Sequence, residues 1–388
     1  MSYSKGKMYL ILGSRWGSSQ RVSSEEMFTK FRRGGIDPMN DTVVHISQAA
    51  ADYDCMLNDR VRQIGLKHNA RLRFWYDLTS VVWLPYFLRK NNIKPDIIIV
   101  AEPLLTLAGL LPKLLWKTKV VFSLTNLPRN LANTRKFSLL RRMYFWVSER
   151  IAVIISDLVL VINQATYSYI LETGIDPKKI YLQNSNVIER DRQYIDAVQP
   201  GSVRTRLGVL EGQKIILSVG RLEAEKDYPR LLRYVSALPS DYTLVICGSG
   251  VLEGELVTLA AELEIADRVV FAGYVSRSEI WNYYRDADAF VLLSRSEALG
   301  LVVWEAMYMR CPVLVSEADG LVECVGVNGN RGFIIKEKAP AEVFVDYVEQ
   351  AVDDTQEVKV MVERAYQYVE EKSRDVIKMN DILSTINK

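Results

Sequence analysis

The 388-residue sequence predicts an α/β protein built from two Rossmann-like domains. Single hydrophobic cores rarely grow beyond about 250–300 residues, so a chain of this length favours two domains. Short apolar runs that indicate buried strands alternate with helical patterns. This alternation of strands and helices is typical of proteins with parallel sheets. This alternation occurs twice, on either side of a polar stretch at 189–202 that contains Pro200-Gly201. We therefore predict domains at residues 1–195 and 203–365, joined by a linker within 189–202.

Apolar runs that predict buried strands mark both domains. In the first, the run Met8–Leu12 precedes a Gly/Ser-rich loop at 13–19 and a helical pattern at 23–33. Such a loop lies at the carboxyl edge of a parallel sheet, where it either binds a ligand or only turns the chain. Further strands are predicted at 42–46, 97–100, 119–124, 158–162 and 179–182 in the first domain. Those of the second domain are predicted at 214–219, 242–246, 268–271, 289–293, 312–315 and 332–335, before a helical run at 342–388.

Two carboxylates, Glu297 and Glu305, lie eight positions apart around the predicted start of a helix. Glu305 falls among apolar residues, where a carboxylate is costly to bury unless it is paired. The turn Leu299-Gly300-Leu301 opens the helix and places free N–H groups and the positive end of its dipole beside Glu297. Such a corner suits a phosphate. A solvated Glu297 and a core Glu305 satisfied by a neighbouring arginine are the alternative.

Two cations follow the first predicted strand of the second domain. Gly220 lets the backbone approach a ligand closely, Arg221 offers a forked donor, and Lys226 carries a point charge. Cations at the carboxyl end of a strand suit a diphosphate leaving group, because they stabilise the negative charge that grows on it. A salt-bridged surface turn is the alternative interpretation.

These motifs resemble those of family-4 glycosyltransferases. Residues 294–307 are similar to the family signature of two glutamates separated by seven residues, with Ala298 and Leu299 in place of the usual Gly-Phe. Residues 220–226 are similar to its G-R-L-x-x-x-K motif at each defining position. Over the second domain, the resemblance also covers a G-x-G loop at Gly248 and Gly250 and the segment Gly273-Tyr274-Val275.

The resemblance implies the GT-B fold, in which two Rossmann-like domains face each other across a cleft. It also implies that the C-terminal helix, residues 366–388, returns to the first domain. Glu297 would contact the transferred sugar, Glu305 the ribose hydroxyls, and Arg221 with Lys226 the diphosphate. The remaining donor-binding candidates by resemblance are Gly220, Gly248, Gly250, Tyr274, Val275, Leu299, Gly300 and Leu301.

The acceptor side departs from the family pattern. By resemblance, Gly17 and Ser18 would approach the donor phosphates and the acceptor. The family often carries His-Asp after the strand at 119–124, whereas this sequence has Thr125-Asn126. Both side chains can hydrogen-bond a sugar, but neither can act as a base near neutral pH.

The resemblance implies transfer of a sugar from a UDP- or GDP-sugar to a glycan or lipid-linked glycan, with retention of configuration. Cationic side chains would replace a metal ion, so neither metal nor cofactor is expected. A nucleotide-sugar epimerase of GT-B type would turn over the donor without an acceptor. A catalytically silent partner of another transferase would fit the missing histidine, but not the intact Arg221, Lys226, Glu297 and Glu305.

The amino-acid composition indicates the cellular compartment in which the protein is expected. The four cysteines are scattered and the chain has two histidines, so we expect reduced core thiols in a cytosolic protein rather than a disulfide or metal framework. Met1–Lys7 lack the apolar core of a signal peptide. No apolar run reaches about 18 residues, so no transmembrane helix is expected.

Charge is distributed unevenly along the chain. Residues 1–200 contain 28 Lys and Arg against 17 Asp and Glu, a balance of +11, whereas residues 201–388 contain 21 against 30, a balance of −9. Residues 113–150 hold nine basic residues and one acid, Glu149, with aromatic residues interleaved. This segment can lie on an anionic membrane or pack on its own domain. A basic first domain favours an anionic acceptor such as a lipid-phosphate-linked sugar, and no nucleic-acid module accompanies the charge.

Overall fold

The computed structural model describes most of the chain as two α/β units. The described residues are 7–13, 41–49, 53–67, 73–101, 103–124, 139–183, 187–210, 212–353 and 355–374. Asn184–Val376 forms the second unit, and the described residues that precede it belong to the first. Among the described helices, none combines the length and apolar character that a membrane span requires.

The first unit contains a mostly parallel sheet in the order β3-β4-β2-β1-β5-β6-β7-β8. The predicted strands of this unit are present with small changes at their ends. The edge pair β3 and β4 is an antiparallel hairpin that the sequence analysis missed. The strands are β1 Met8–Gly13, β2 Thr42–Ala49, β3 Tyr53–Asn58, β4 Val61–Lys67, β5 Ile97–Val100, β6 Lys119–Leu124, β7 Leu158–Val161 and β8 Ile180–Leu182.

Helices cover this sheet and bury its apolar strands. Val120, Val121 and Phe122 of β6 are fully buried, as expected for a central strand with side chains packed on both faces. The predicted helix at 23–33 lies outside the described residues. The described helices are α1 Arg73–Lys90, α2 Leu110–Trp116, α3 Leu139–Ile155 and α4 Gln164–Leu171, and a 3-10 segment at Leu104–Gly109 precedes α2.

The second unit contains an all-parallel sheet in the order β11-β10-β9-β12-β13-β14. Alternate residues of β9 enter opposite cores, with Ile215 and Leu217 on one side and Ile216 on the other. Each of the six strands predicted for the second domain is present. They are β9 Lys214–Val219, β10 Tyr242–Cys247, β11 Val269–Gly273, β12 Ala289–Leu292, β13 Val313–Ser316 and β14 Phe333–Ile335.

Nine helices of the second unit lie within residues 187–374. Helices α5, α9 and α10 carry buried polar side chains of the candidate site, Asp191, Tyr284 and Glu305 respectively. The helices are α5 Val187–Ile195, α6 Ser202–Leu207, α7 Tyr228–Ser236, α8 Glu253–Glu262, α9 Ile280–Asp286, α10 Leu301–Tyr308, α11 Asp319–Val325, α12 Ala341–Val352 and α13 Gln356–Arg374.

The segment predicted as the linker is largely helical and belongs to the second unit. Helix α5 begins at Val187, and both Val187 and Ile188 are buried in the second unit's core. The boundary lies between Gln183 and Asn184, whereas the sequence analysis placed the end of the first domain at residue 195. The polar character of this stretch reflects the outer face of an amphipathic helix rather than an exposed linker.

The helical run predicted at 342–388 is two helices, because the chain is not helical between Val352 and Gln356. The second of them, α13, packs on the second unit through Ala365 and Val369, which are both buried. Residues 366–374 thus continue α13 rather than begin a separate helix. Residues 375–388, for which we predicted a return to the first domain, lie outside the described residues.

Candidate functional site

The predicted motifs meet at the point where the strand order of the second sheet reverses. Strands β9 and β12 are neighbours, with Ala289 opposite Ile216, although three helices and two strands separate them in sequence. The loop after β9 carries Gly220, Arg221 and Lys226, and the loop after β12 carries Glu297. In doubly wound α/β sheets, ligands bind outside the carboxyl ends of the strands at this reversal.

Lys226 and Glu297 form an ion pair between the two loops. The Lys226 Nζ donates to Glu297 Oε2 at 2.5 Å. The side chains are only 14% and 19% exposed, so screening by water is weaker than for a surface pair. An ammonium has three donors, and this contact uses one, so two donors of Lys226 can still reach an anionic ligand.

Arg295 links the same two loops through hydrogen bonds. Its backbone N–H donates to the Glu225 carbonyl at 2.9 Å, and its Nη2 donates to Asp227 Oδ1 at 2.8 Å. Asp227 has φ of 52°, so a non-glycine residue occupies the left-handed region at the start of α7. Such a conformation persists where surrounding contacts fix it, here the contact with Arg295.

Arg221 contacts carboxylates of its own loop. Its guanidinium contacts Glu223 and donates from Nη2 to Glu225 Oε1 at 2.7 Å. The Arg221 side chain is 64% exposed, so these contacts are surface ion pairs of low strength. The structure therefore holds Arg221 on its own loop, as the alternative interpretation expected, while leaving the side chain free to exchange partners.

Gly300 opens α10 as the sequence predicts. Its φ of 64° lies in the left-handed region, and a Cβ at this position would lie 2.8 Å from Leu321 Cδ2. The left-handed conformation therefore favours glycine at this position. Leu299 and Leu301 on either side pack partly against the core. Gly300 provides no side-chain cap, and the Val303 N–H donates to the Gly300 carbonyl at 2.8 Å, so the N–H groups that can meet a ligand are those of Leu301 and Val302.

Glu305 is buried in α10 and held by two donors. Arg277 Nη1 donates to its Oε1 and the Tyr284 hydroxyl to its Oε2, each at 2.8 Å. Glu305 is 2% exposed. Burial raises the pKa of Glu305, and the Arg277 charge and both hydrogen bonds oppose that rise. The expected arginine partner of a core glutamate is therefore present, and it is Arg277.

Asp191 extends this network to α5. Arg277 Nε donates to Asp191 Oδ2 at 2.8 Å, and Arg190 Nη2 donates to the same oxygen at 2.8 Å. Burial alone would raise the pKa of Asp191, but hydrogen bonds and charges from Arg190 and Arg277 lower it overall. Arg277 thus bridges two buried carboxylates, one on α5 and one on α10.

Gly248 and Gly250 pack against the loop that carries Arg221. A Cβ on Gly248 would lie 1.9 Å from the Gly220 carbonyl oxygen, and one on Gly250 would lie 2.4 Å from that of Leu222. Gly248 also has φ of 150°, which L side chains rarely adopt. Because these residues are glycines, their backbone can pack closely against the backbone of the loop that carries Arg221.

We expect Gly248→Ala to lower the free energy of unfolding by about 3 kcal/mol, because the added methyl group overlaps a backbone oxygen and the residue is strained. Gly254→Ala is the matched control, since nothing lies within 4 Å of its Cβ position and α8 is helical there. Urea unfolding followed by circular dichroism measures both variants. Equal stability of the two would contradict the packing described for Gly248.

The last two donor candidates follow β11. The Tyr274 side chain is 79% exposed, whereas Val275 is partly buried against the core. The loop after β11 contacts the loop after β10, since the Gly248 N–H donates to the Gly273 carbonyl at 2.7 Å. The exposed Tyr274 ring is available to stack on a planar ligand. Neither residue contacts the Lys226–Glu297 pair.

Some predicted residues cannot be placed and some functional neighbours were missed. Gly17, Ser18, Thr125 and Asn126 lie outside the described residues. Asp191, Asp227, Tyr284 and Arg295 were missed along with Arg277, because each acts through a partner distant in sequence. The one local signal was Arg295, which lies three residues after the end of β12 and two residues before Glu297. In the part of the chain that the structure describes, no cluster of His, Cys, Asp and Glu could hold a metal ion.

The cysteines have no catalytic environment. Cys247, Cys311 and Cys324 are buried, Cys55 is partly exposed, and none of the four is paired with another. Burial raises the pKa of the Cys247 and Cys324 thiols to about 12. Because the thiolate is the reactive form, these buried thiols are unreactive near neutral pH.

Comparison with solved structures identifies the fold as GT-B. The chain is similar to sucrose-phosphate synthase from Thermosynechococcus elongatus, with a TM-score of 0.74 and 15% identity, covering 98% of this chain and 97% of the other. It is also similar to Anabaena Alr3699/HepE in complex with UDP and glucose, with a TM-score of 0.69 and 17% identity, covering 97% and 98%. The predicted pair of Rossmann-like α/β domains is confirmed.

Sequence comparison finds a family model that matches most of the second unit. Residues 202–368 match the model of the glycosyl transferases group 1. The chain is 38% identical over 157 residues to the D-inositol 3-phosphate glycosyltransferase of Mycolicibacterium smegmatis, covering 36% of each chain. It is 35% identical over 115 residues to the alpha-monoglucosyldiacylglycerol synthase of Streptococcus pneumoniae, covering 29% of this chain. The chain spans 36% and 26% of the length of these two relatives.

Proposed function

We propose that the protein is a glycosyltransferase that moves a hexose from a nucleotide-diphosphate sugar to a glycan or lipid-linked glycan in glycoconjugate biosynthesis. The observation that carries this proposal is the Lys226–Glu297 pair at the strand reversal of the unit that matches the model of the glycosyl transferases group 1. A structural relative binds UDP and glucose, which supports a UDP-sugar as the donor.

The pair offers one group for each part of the donor. Lys226 has two unused donors that can bind diphosphate oxygens and stabilise the negative charge that grows as the glycosidic bond breaks. Glu297 retains one oxygen that the Lys226 contact does not use, and that oxygen can accept a hydrogen bond from a sugar hydroxyl. Backbone N–H groups at the start of α10 add positive potential beside the same position.

The nucleoside side of the proposed site uses Glu305. Both of its oxygens accept one hydrogen bond from the protein, and a carboxylate oxygen can accept a second. Ribose hydroxyls can therefore bind Glu305 once the ligand displaces the neighbouring side chains that cover it. Arg277, with a side chain 38% exposed, is the partner that can shift.

The remaining details of the proposal follow the family resemblance. We propose membership of family 4, retention of anomeric configuration, and a reaction in which Lys226 and Arg221 neutralise the diphosphate without a metal ion. The proposed acceptor binds the basic first unit. The similar proteins include an alpha-monoglucosyldiacylglycerol synthase, and that name supports a lipid-linked acceptor. As part of the same proposal, the reaction takes place in the cytoplasm, at the cytoplasmic face of a membrane.

A panel of UDP- and GDP-sugars tests this proposal. Each compound is scored by thermal shift and by slow hydrolysis to the nucleoside diphosphate, for the wild type, Glu297→Ala and the exposed control Lys338→Ala. We expect one donor to stabilise the wild type and the control and to be hydrolysed by both, while Glu297→Ala no longer turns it over.

Other outcomes would contradict the proposal. Binding and conversion of the donor to an epimer, without hydrolysis or transfer, would indicate an epimerase. Binding of a donor without turnover, also in the presence of lipid-linked acceptors, would indicate a silent partner. If no nucleotide sugar raises the melting temperature, the donor site is wrongly assigned.

A further inference from the structure

We propose that Asp191 is a positioning residue that sets how strongly the donor site prefers a ribonucleotide, because it keeps Arg277 from closing on Glu305. The inference rests on the proposed function, in which Glu305 binds the ribose hydroxyls. It adds to that site a residue of α5 that acts through Arg277 rather than on the ligand itself.

Arg277 divides its donors unequally between two buried carboxylates. Its Nε donates to Asp191 Oδ2 at 2.8 Å, and its Nη2 contacts the same oxygen. Nη1 donates to Glu305 Oε1 at 2.8 Å. The guanidinium edge that carries Nε and Nη2 is one with which arginine can bind a carboxylate through two parallel hydrogen bonds. Asp191 occupies that edge, so Glu305 receives a single nitrogen of Arg277.

The two donors that hold Glu305 differ in how readily a ligand can replace them. The Tyr284 hydroxyl donates to Oε2 at 2.8 Å, and Tyr284 is fully buried. The Arg277 side chain is 38% exposed, so Arg277 is the partner that reaches solvent. A ribose hydroxyl that arrives at Glu305 therefore competes with one nitrogen of Arg277, and it keeps the buried carboxylate hydrogen-bonded when it takes that place.

Asp191 keeps Arg277 paired after such an exchange. The Asp191 side chain is 3% exposed, and a partly buried guanidinium that lost Glu305 without another carboxylate would be left with an uncompensated charge. The guanidinium carbon of Arg277 also lies 5.5 Å from the centre of the Trp281 ring, a contact that does not involve Glu305. Arg277 can therefore release Glu305 while it keeps its other contacts.

Loss of the Asp191 charge would reverse this balance. Of the two carboxylates that it contacts, Arg277 would keep Glu305 alone, and its forked edge would be free to bind that carboxylate. A bidentate pair is stronger than a single charge-assisted hydrogen bond, so ribose hydroxyls would compete less well for Glu305. A nucleotide without these hydroxyls makes no such exchange, and its affinity would not depend on Asp191.

Isothermal titration calorimetry of the full-length protein tests the inference. The probes are UDP and GDP, each compared with its dideoxy analogue, which lacks both ribose hydroxyls. We expect the wild type to bind one ribonucleotide about tenfold or more tightly than its dideoxy analogue, as hydrogen bonds to a charged group provide. In Asp191→Asn, we expect the affinity for that ribonucleotide to fall about tenfold, with a change of less than about twofold for the analogue.

Steady-state kinetics separates positioning from damage to the fold. Asp191→Asn is expected to raise the KM for the nucleotide sugar about tenfold and to lower kcat less than about twofold, because saturating donor displaces Arg277 from Glu305 in either case. Glu189→Gln removes an exposed carboxylate from the same helix and is the matched control with wild-type binding. Arg190→Gln removes the other partner of Asp191 and leaves Arg277 on it, so the preference for the ribonucleotide should persist.

Defined results would overturn the inference. They are an unchanged preference in Asp191→Asn, an equal loss of affinity for the ribonucleotide and its analogue, or a loss in Arg190→Gln as large as in Asp191→Asn. Should Asp191→Asn fail to fold, the double variant R190Q/D191N removes the cation left without a partner and carries the same expected loss. A wild type that binds neither ribonucleotide, or prefers neither to its analogue, would contradict the proposed function itself, so the two failures are distinguishable.

Discussion

Lys226→Met is expected to lower the rate of donor cleavage by about two to three orders of magnitude, the effect of removing a group aimed at developing negative charge. Lys226 lies in the loop after β9 and donates to Glu297 at 2.5 Å. Its loss removes the cation that we propose for the diphosphate. Release of the nucleoside diphosphate under saturating donor measures the change in kcat.

A double-variant cycle distinguishes catalysis from folding. Lys226→Met leaves Glu297 largely buried without its ammonium partner, which costs about 1–3 kcal/mol of unfolding free energy. Adding Glu297→Gln removes the unpaired charge and should restore much of that stability, while activity stays low. The exposed Lys338→Met is the control and retains full activity. Recovery of activity together with stability would contradict a role for the pair in the reaction.

Glu305→Ala is expected to lower the free energy of unfolding by about 3–5 kcal/mol, because it breaks a buried ion pair and leaves partners unsatisfied. The Tyr284 hydroxyl would lose its acceptor in the core, and Arg277 would keep only Asp191. Urea unfolding followed by circular dichroism measures the loss.

Glu305→Gln is the conservative comparison for this site. It keeps the size and one acceptor oxygen, so we expect a smaller loss of about 1–3 kcal/mol. The exposed Glu337→Ala, also in the second unit, should leave stability unchanged. If the alanine and glutamine variants of Glu305 were equally stable, the two hydrogen bonds to this carboxylate would contribute little. If both Glu305 variants were as stable as the wild type, the result would contradict a stabilising role for the buried network.

The sheet of the second unit could be predicted from sequence because its strands carry a local signal. Runs such as Ile215–Leu217 and Ala289–Leu292 are continuous and apolar, as buried parallel strands require. The start of α10 was also predictable, since Gly300 precedes an apolar helical segment. These features need only neighbouring residues to form.

Features that depend on distant contacts could not be predicted. Arg277 binds Asp191 and Glu305, which lie 86 and 28 residues away in sequence. Nothing around Arg277 indicates these partners. The hairpin at Tyr53–Lys67 was missed because Asp54, Asn58 and Arg62 interrupt its apolar pattern. Helix α5 was not predicted, because the residues after Val187 are mostly polar although the first turn of the helix is buried.

The buried network gives α5 a role that an exposed linker would not have. Asp191 is fixed by Arg190 and by Arg277, and Arg277 in turn fixes Glu305. If ribose displaces Arg277 from Glu305, the contact of Arg277 with Asp191 still holds the guanidinium beside the site. The network therefore positions the proposed ribose-binding carboxylate without a rearrangement of α5.

A crystal structure of the protein with the nucleotide sugar identified by the panel tests the central claim most directly. The account predicts diphosphate oxygens about 3 Å from Lys226 Nζ, the distance of a charge-assisted hydrogen bond. It also predicts the hexose beside Glu297 and the ribose at Glu305. A donor bound elsewhere on the chain, or a diphosphate out of reach of Lys226, would contradict the assignment of the donor site.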